Sequence, residues 1–213
     1  MKILVIGGTR GIGLALAKQA LAEGYEVTVL ARHPEAAHLQ HEKLQLIKGD
    51  VADKSAVASA VRGQDAVVSA VGIKPTRKPV TVFSVGTRNI LDGMKKDGGK
   101  LLIAVTGVGA GDSAGHGGFL YDRIFLPLFM KNLYADKDRQ EKMLKDSGAK
   151  WIIVRPGFLT NGPARHRFRA VTELGAPGTG VKAGRISRAD VAGFILDQIR
   201  QPEYIGKTPL LTD

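Results

Sequence analysis

Residues 7–13 read Gly7-Gly8-Thr9-Arg10-Gly11-Ile12-Gly13 and stand between a short apolar run and a segment of helical period. In a strand–turn–helix unit, Gly7 permits the tight turn, Gly11 lets a diphosphate approach the backbone, and Gly13 lets the helix pack closely on the strand. The N-terminus of such a helix offers unpaired N–H groups to phosphate. The stretch therefore predicts a dinucleotide-binding turn, and the alternative is a tight turn without a ligand. The predicted phosphate contacts are Gly7, Thr9, Arg10, Gly11, Ile12 and Gly13.

Short apolar runs alternate with longer helical segments along the rest of the chain. The runs are Ile3 to Ile6, Val27 to Leu30, Leu44 to Ile47, Ala66 to Ser69, Leu101 to Val105 and Trp151 to Val154. The helical segments are Gly11 to Glu23, Asp53 to Val61, Val82 to Lys96 and Leu120 to Asp146, the last started or kinked by Pro127. This alternation predicts an α/β fold with a Rossmann-like, doubly wound parallel sheet, in a single domain over residues 1–213. We expect a last strand near Thr208 to Leu211 to close the sheet edge.

The periodicity lapses after the sixth strand. Pro163, Pro177 and several glycines interrupt this region, which predicts a lid-like loop over about residues 157–186. Ser187 and Asp190 then form a capping-box-like start for a final helix that runs to about Arg200. The lid is basic, which favours contacts with the phosphates of a nucleic acid. The sequence shows neither a helix of the kind that recognises bases in a DNA groove nor a row of aromatic residues that could stack on bases. We therefore expect no nucleic acid as a partner.

Composition narrows the class of protein. The chain has 213 residues, 31 Lys and Arg against 20 Asp and Glu, a net charge of +11 and no cysteine. Disulfides and thiolate chemistry are therefore excluded, and the five histidines show no metal-ligand spacing, so no metal is predicted. The longest apolar run, Ile124 to Met130, is seven residues long and falls far short of the ~20 that cross a bilayer. The apolar start is too short for a signal peptide. We expect a soluble, cytoplasmic monomer or homodimer without a membrane partner.

A basic residue follows the second strand. NAD-binding versions of this unit place an acidic residue there for the ribose hydroxyls, whereas this chain has Arg32. A guanidinium matches phosphate oxygens, so Arg32, together with Arg10, predicts NADP as the cofactor through its 2′-phosphate. The alternative is that Arg32 is a solvated surface charge. Residues at the ends of the third and fourth strands complete the adenosine side: Asp50, as an adenine acceptor or a turn residue, Val51, Ala70 and Gly72.

With these motifs the chain resembles the atypical short-chain dehydrogenase/reductase superfamily, in the branch of the biliverdin-IXβ/flavin reductases and NmrA-like redox regulators. The resemblance covers nearly the whole chain. The motifs that carry it are Gly7 to Gly13, Val27 to Arg32, Gly49-Asp50-Val51, Gly63 to Val67, Arg88-Asn89-Ile90, Ser147 to Lys150 and Arg155-Pro156-Gly157. It implies an NADPH-dependent reductase that moves hydride to a small acceptor such as a flavin, quinone or carbonyl compound, with Thr106 and Pro156 at the nicotinamide end.

Two positions depart from the flavin reductases. Where those enzymes have Thr-Ser after the fifth strand, this chain has Thr106-Gly107, and where they have a histidine after the sixth strand it has Phe158. Loss of that hydroxyl and imidazole leaves a second hypothesis, a noncatalytic NADP(H) sensor that reports redox state to a partner.

The fourth helix holds the candidate catalytic pair. Short-chain dehydrogenases use Tyr-x-x-x-Lys, and Tyr134-Ala135-Asp136-Lys137 is one residue shorter. Lys137, followed by Glu141, is expected to contact ribose or substrate. The proton is expected to come from Lys137, from Tyr134 or from water. The alternative for both is an exposed helix face in water. A glycine loop at residues 107–116 is expected either to cover the nicotinamide, with Ser113 or His116 near substrate, or to be a plain flexible loop.

Overall fold

The computed structural model describes residues 1–96, 101–178 and 180–213. Its strands are β1 (Lys2–Ile6), β2 (Glu26–Ala31), β3 (Leu44–Lys48), β4 (Ala66–Ser69), β5 (Leu101–Val105), β6 (Trp151–Pro156), β7 (Phe158–Thr160), β8 (Arg169–Val171), β9 (Arg185–Ser187) and β10 (Leu210–Thr212). Its α-helices are α1 (Gly11–Ala22), α2 (Lys54–Val61), α3 (Val82–Lys96), α4 (Lys131–Lys145) and α5 (Arg188–Arg200).

The central sheet has the order β3-β2-β1-β4-β5-β6-β10-β8. All neighbouring strands from β3 to β10 pair in parallel, and only β8 runs antiparallel to its neighbour. This topology confirms the predicted doubly wound α/β fold. The strand order reverses between β1 and β4, the position where open parallel sheets open a crevice at the carboxyl ends of their strands.

Both faces of the sheet are covered. Along β1, Ile3 and Val5 face a core that includes α1 and α5, whereas Leu4 and Ile6 face a core that includes α2 and α3. Strands buried on both faces need apolar residues at every position rather than at alternate ones. This requirement explains why β1 reads as a continuous apolar run.

Three short strands lie inside the segment that was predicted to be irregular. β7 and β9 form a separate parallel pair, and β8 forms the sheet edge beside β10. The predicted last strand exists as β10, but the prediction that it closes the edge was wrong because β8 lies outside it. Thr179, within the predicted lid, lies outside the described residues.

The predicted fourth helix is divided in two. Residues Tyr121–Met130 form π-helical turns that contain Pro127, and α4 begins at Lys131. Proline lacks the N–H that an α-helix needs at interior positions, and irregular turns of this kind accommodate it. Pro127 therefore lies within the irregular turns, and α4 begins four residues after it.

Helix α3 is capped from another element. Its first backbone amides, those of Phe83 and Ser84, donate to the carboxylate of Asp136 in α4 at 2.8 and 3.3 Å. Helix N-termini leave such amides without an intrahelical partner, and a buried carboxylate satisfies them. The cap fixes the start of α3 next to α4 at the mouth of the crevice.

Candidate functional site

A cleft of about 1400 Å³ opens at the carboxyl ends of β1 and β4. It extends from the end of β2, across the glycine turn, to the ends of β5 and β6. Among the predicted site residues, the cleft is lined by Gly7, Thr9, Arg10, Gly11, Ile12, Arg32, Asp50, Val51, Ala70, Gly72, Thr106, Lys137 and Pro156. The structure thus brings together predicted phosphate, adenosine and nicotinamide positions that are up to 149 residues apart in sequence.

The glycine turn is built so that side chains are excluded. Gly7 has φ +88°, and a Cβ there would lie 2.8 Å from the carbonyl oxygen of Ala70. Gly13 does not line the cleft, but its Cβ would lie 2.4 Å from the carbonyl oxygen of Gly7. Real Cβ atoms do not approach backbone oxygen so closely, so Gly13 acts by letting α1 pack on the turn.

We expect Gly13→Ala to lower the free energy of unfolding by about 1–3 kcal/mol, as overpacking against backbone does. It should also weaken NADPH binding, since the turn must move to relieve the contact. The matched control is Gly93→Ala in α3, where the new Cβ would meet its neighbours at 3.5 Å and alanine favours the helix. Urea unfolding and NADPH titration of both variants check this, and equal losses in the two would contradict it.

Two arginines stand at the turn and at the end of β2. The Arg10 guanidinium donates to the carbonyl oxygen of Gly72 at 3.0 Å and so bridges the turn and the loop after β4. Arg32 is exposed at the cleft rim, and no carboxylate of the described residues pairs with it. An unpaired guanidinium on a cleft wall is available to an anion.

A third arginine was missed as a site residue by sequence reasoning. Arg188, the first residue of α5, is half-buried, lines the cleft and donates to the side-chain oxygen of Asn161 at 2.7 Å. A Cβ on Gly11 would lie 3.7 Å from its Nε. Within the described part of the chain it has no acidic partner. The guanidinium therefore lies over the phosphate side of the glycine turn.

The start of α5 is fixed by the predicted cap. The Ser187 hydroxyl accepts from the Asp190 amide at 2.9 Å and donates to the Asp190 carboxylate at 2.7 Å. The other carboxylate oxygen of Asp190 accepts from the amides of Arg165 and His166, both at 2.8 Å. One carboxylate thus joins the start of α5, which carries Arg188, to residues 161–168, the basic loop before β8.

At the end of the cleft predicted to take adenosine, Asp50 forms a turn. Its carboxylate accepts from the amide of Ala52 at 2.9 Å, which is the turn role that the sequence left as an alternative. The side-chain amide of Asn89 in α3 donates to the carbonyl oxygens of Val51 and Ala52, both at 3.0 Å. Asn89, which sequence analysis noted only as part of a family motif, holds this wall of the cleft in place.

At the other end, Lys137 is buried on the cleft wall, 8% exposed. Its Nζ donates to the carbonyl oxygen of Thr106 and lies 5.0 Å from the centre of the Phe83 ring. Burial lowers the pKa of Lys137 to about 8, against the opposing effect of the Glu141 carboxylate. Lys137 can therefore hold a proton at neutral pH and release it more readily than an exposed lysine.

Beneath Lys137 lies a buried ion pair. Arg155, fully buried, donates to both carboxylate oxygens of Glu141 at 3.0 and 2.5 Å, and Glu141 also accepts from the Thr106 hydroxyl at 2.9 Å. Asp112 contacts Arg155 from the surface at 2.6 Å. The alternative that Lys137 and Glu141 form an exposed face in water was wrong, because Arg155 from β6 makes burial of Glu141 tolerable.

Tyr134 is not brought to the cleft wall. It is buried, its hydroxyl lies 2.8 Å from that of Tyr121, and burial raises its pKa. Its role as proton donor stays a prediction, and the geometry favours Lys137. Ser113 and His116 are also buried, and His116 Nδ1 donates to the carbonyl oxygen of Val181 at 2.6 Å. Both side chains fasten the glycine loop rather than line the cleft.

Comparison with known proteins identifies the family of the chain. A family model described as NAD(P)H-binding matches residues 7–202. An uncharacterized chloroplastic protein of Arabidopsis thaliana is 32% identical over 95% of this chain and 73% of its own length. Sanguinarine reductase of Eschscholzia californica is 24% identical over 96% of this chain and 86% of its own. The solved structure of ChuY, an anaerobillin reductase from Escherichia coli O157:H7, has a TM-score of 0.76 at 25% identity, covering 100% of this chain and 97% of that one. The chain therefore belongs to the NAD(P)H-binding family.

Proposed function

We propose that this protein is an NADPH-dependent reductase that delivers hydride to a small acceptor such as a flavin, quinone or carbonyl compound. The observation that carries the proposal is one cleft with a glycine turn and unpaired arginines at one end and a buried lysine at the other. Two proteins that this chain resembles are reductases by name, sanguinarine reductase and anaerobillin reductase, and this supports the reaction class.

The residues fit a phosphorylated dinucleotide. The cradle at Gly7 and Gly11, both with positive φ, leaves backbone amides open to a diphosphate. Arg188 lies over this cradle without an acidic partner in the described chain, and Arg32 stands beyond it, where a 2′-phosphate belongs. Asp50, Val51, Ala70 and Gly72 would border the adenosine, and Thr106 and Pro156 the nicotinamide.

When bound, NADPH supplies the hydride. The chain's own part in the reaction is to orient the acceptor and to hold a proton. Lys137 Nζ, fixed by the carbonyl oxygen of Thr106, carries the proton that the reduced acceptor takes up. Glu141 and Arg155 hold the Thr106 hydroxyl and the helix that carries Lys137, so they act as positioning residues. Tyr134 remains a candidate only if Tyr121 moves away from its hydroxyl.

The preference for NADPH is tested with two arginines. Arg32→Ala should weaken NADPH binding about ten- to a hundredfold, the loss of roughly 1.5–3 kcal/mol expected for charged hydrogen bonds, and leave NADH binding nearly unchanged. Arg188→Gln should weaken both cofactors equally, because the diphosphate is common to both. Titration of each nucleotide measures this, with exposed Arg62→Ala as the control. Equal losses for both cofactors in Arg32→Ala would refute the role of Arg32.

The reductase proposal itself is tested by following loss of NADPH absorbance with a panel of flavins, quinones and aldehydes, together with NADPH binding. Turnover with at least one class of acceptor supports it. Tight binding without turnover on any acceptor would overturn it.

A noncatalytic NADP(H) sensor is the second candidate. Gly107 and Phe158 stand where the flavin reductases carry a hydroxyl and an imidazole, and Phe158 packs edge-on against Tyr121 with ring centres 5.3 Å apart. A sensor needs the cofactor cleft but no proton donor. Binding without turnover would favour this candidate.

A further inference from the structure

An apolar ridge projects from the surface beside the cleft. It consists of six exposed side chains in and just before the π-helical turns: Phe119, Leu120, Ile124, Phe125, Leu128 and Phe129. Phe119 and Leu120 are 76% and 71% exposed, and no residue of Tyr121–Met130 is buried. Contiguous apolar surface of this kind marks a site of interaction with another molecule or a membrane.

Ring contacts connect the aromatic residues of the π-helical turns. Phe125 lies 5.9 Å from Tyr121 and 5.4 Å from Phe129 between ring centres. Arg77 lies over the Phe129 ring at 5.6 Å and donates to the carbonyl oxygen of Leu128 at 3.3 Å. Arg77 belongs to the loop of residues 72–81, which lines the cleft. The ridge therefore borders the mouth of the cleft.

Positive charge surrounds the ridge. Arg77, Lys78, Arg123 and Lys131 are exposed around it. Residues 66–91 contain no Asp or Glu, and the only acidic residue between 113 and 135 is Asp122. Asp122 is half-buried and accepts from the Gly117 amide at 3.3 Å. An apolar face with basic flanks is the pattern of helices that lie in the interface of an anionic bilayer.

We propose that this ridge attaches the protein to the surface of lipid bilayers that carry anionic head groups, with the cleft mouth next to the lipid. From the sequence we expected no membrane partner, because no apolar run is long enough to span a bilayer. In the described part of the chain, no helix is both long and apolar enough to cross a bilayer, but attachment at the surface does not require crossing. A second copy of the chain fits less well, because pairing two ridges would bring their basic flanks together without compensating acids.

The test is co-sedimentation of the full chain with vesicles of phosphatidylcholine alone and of equal parts phosphatidylcholine and phosphatidylglycerol. We expect binding to the anionic vesicles that declines at high salt. The double substitution Phe119→Ser and Leu120→Ser should lower it roughly tenfold or more, with an unchanged melting temperature, since neither side chain is packed. Arg123→Gln with Lys131→Gln should lower it as well. The matched control, Ile205→Ser, removes an apolar side chain that is 42% exposed elsewhere and should bind normally.

Failure of the native chain to bind either vesicle would overturn the proposal, as would equal binding by the Phe119→Ser, Leu120→Ser variant. A dimer that dissociates in this variant, without vesicle binding, would overturn it in favour of a second copy. NADPH turnover does not enter the test, so its outcome is independent of the proposed reductase activity.

Discussion

Replacing Lys137 with methionine is expected to lower the rate of NADPH oxidation roughly a hundredfold to ten-thousandfold, the range for loss of a general acid. The native rate should be constant at neutral pH and fall above about pH 8, because burial lowers the pKa of Lys137 to about 8 and only the protonated form can donate. In Lys137→Met this alkaline decline should disappear. Steady-state rates with the acceptor found in the panel, measured across pH, provide the test.

Two further variants make the result specific. In Lys137→Arg the guanidinium stays protonated throughout, so the decline should vanish although the rate remains low. Lys142→Met removes an exposed lysine of the same helix, paired with Asp146 at 2.8 Å, and should behave as the native protein. If the alkaline decline persists in Lys137→Met, another group donates the proton.

Folding stability gives an independent view of the same lysine. The unfolded chain keeps the lysine proton up to its ordinary pKa of 10.5, whereas the folded chain releases it near 8. Between these values the unfolded state binds more protons, so the free energy of unfolding rises with pH. Lys137→Met should lack this contribution to the rise, which urea unfolding at several pH values would measure.

Replacing Glu141 with glutamine is expected to lower the free energy of unfolding by about 3–5 kcal/mol, the usual loss when one partner of a buried pair is removed. Arg155 is fully buried, and this change would leave its charge with only Asp112. The matched control is Asp112→Asn, which removes an exposed partner of the same guanidinium and should cost about 1 kcal/mol or less. Urea unfolding with an unchanged m-value measures both.

The same substitution has an electrostatic readout. Glu141 opposes the fall in the pKa of Lys137, so in Glu141→Gln the alkaline decline in activity should move to lower pH. Adding Arg155→Gln should cost less than the sum of the two single changes, because the variants share one interaction. Additive losses, or a pH profile that does not move, would contradict the positioning role of this pair.

Local patterns were enough to predict the main architecture. The β1–turn–α1 unit could be predicted because Gly7, Gly11 and Gly13 follow a continuous apolar run at the spacing that a tight turn and a close helix require. The same alternation predicts parallel strands that end at one side of the sheet, and the structure opens its crevice at that side, at β1 and β4.

The short strands β7, β8 and β9 could not be predicted in the same way. Each has three residues, and each forms by pairing with a partner that is distant in the chain, as β8 pairs with β10. A three-residue strand has too little periodicity to distinguish it from loop. Tertiary pairing, rather than local preference, makes these residues extended.

The chemistry of the site was predicted less completely, because burial of charge depends on distant partners. The sequence indicated Lys137 and Glu141 on one helix face, but not that Arg155, fourteen residues further on, makes a buried carboxylate stable. The sequence places Arg188 directly after the capping residue Ser187, but this does not predict a position in the site. Its position over the glycine turn depends on how α5 packs beside α1, which no local pattern encodes.

The carboxylate of Asp190 connects the start of α5 to the basic loop before β8. It holds the first turn of α5, two residues from Arg188, and at the same time the amides of Arg165 and His166. A displacement of that loop would therefore also act on the start of α5 and on Arg188. Under the proposed function, binding and release of the nucleotide at Arg188 would be coupled to movement of this loop.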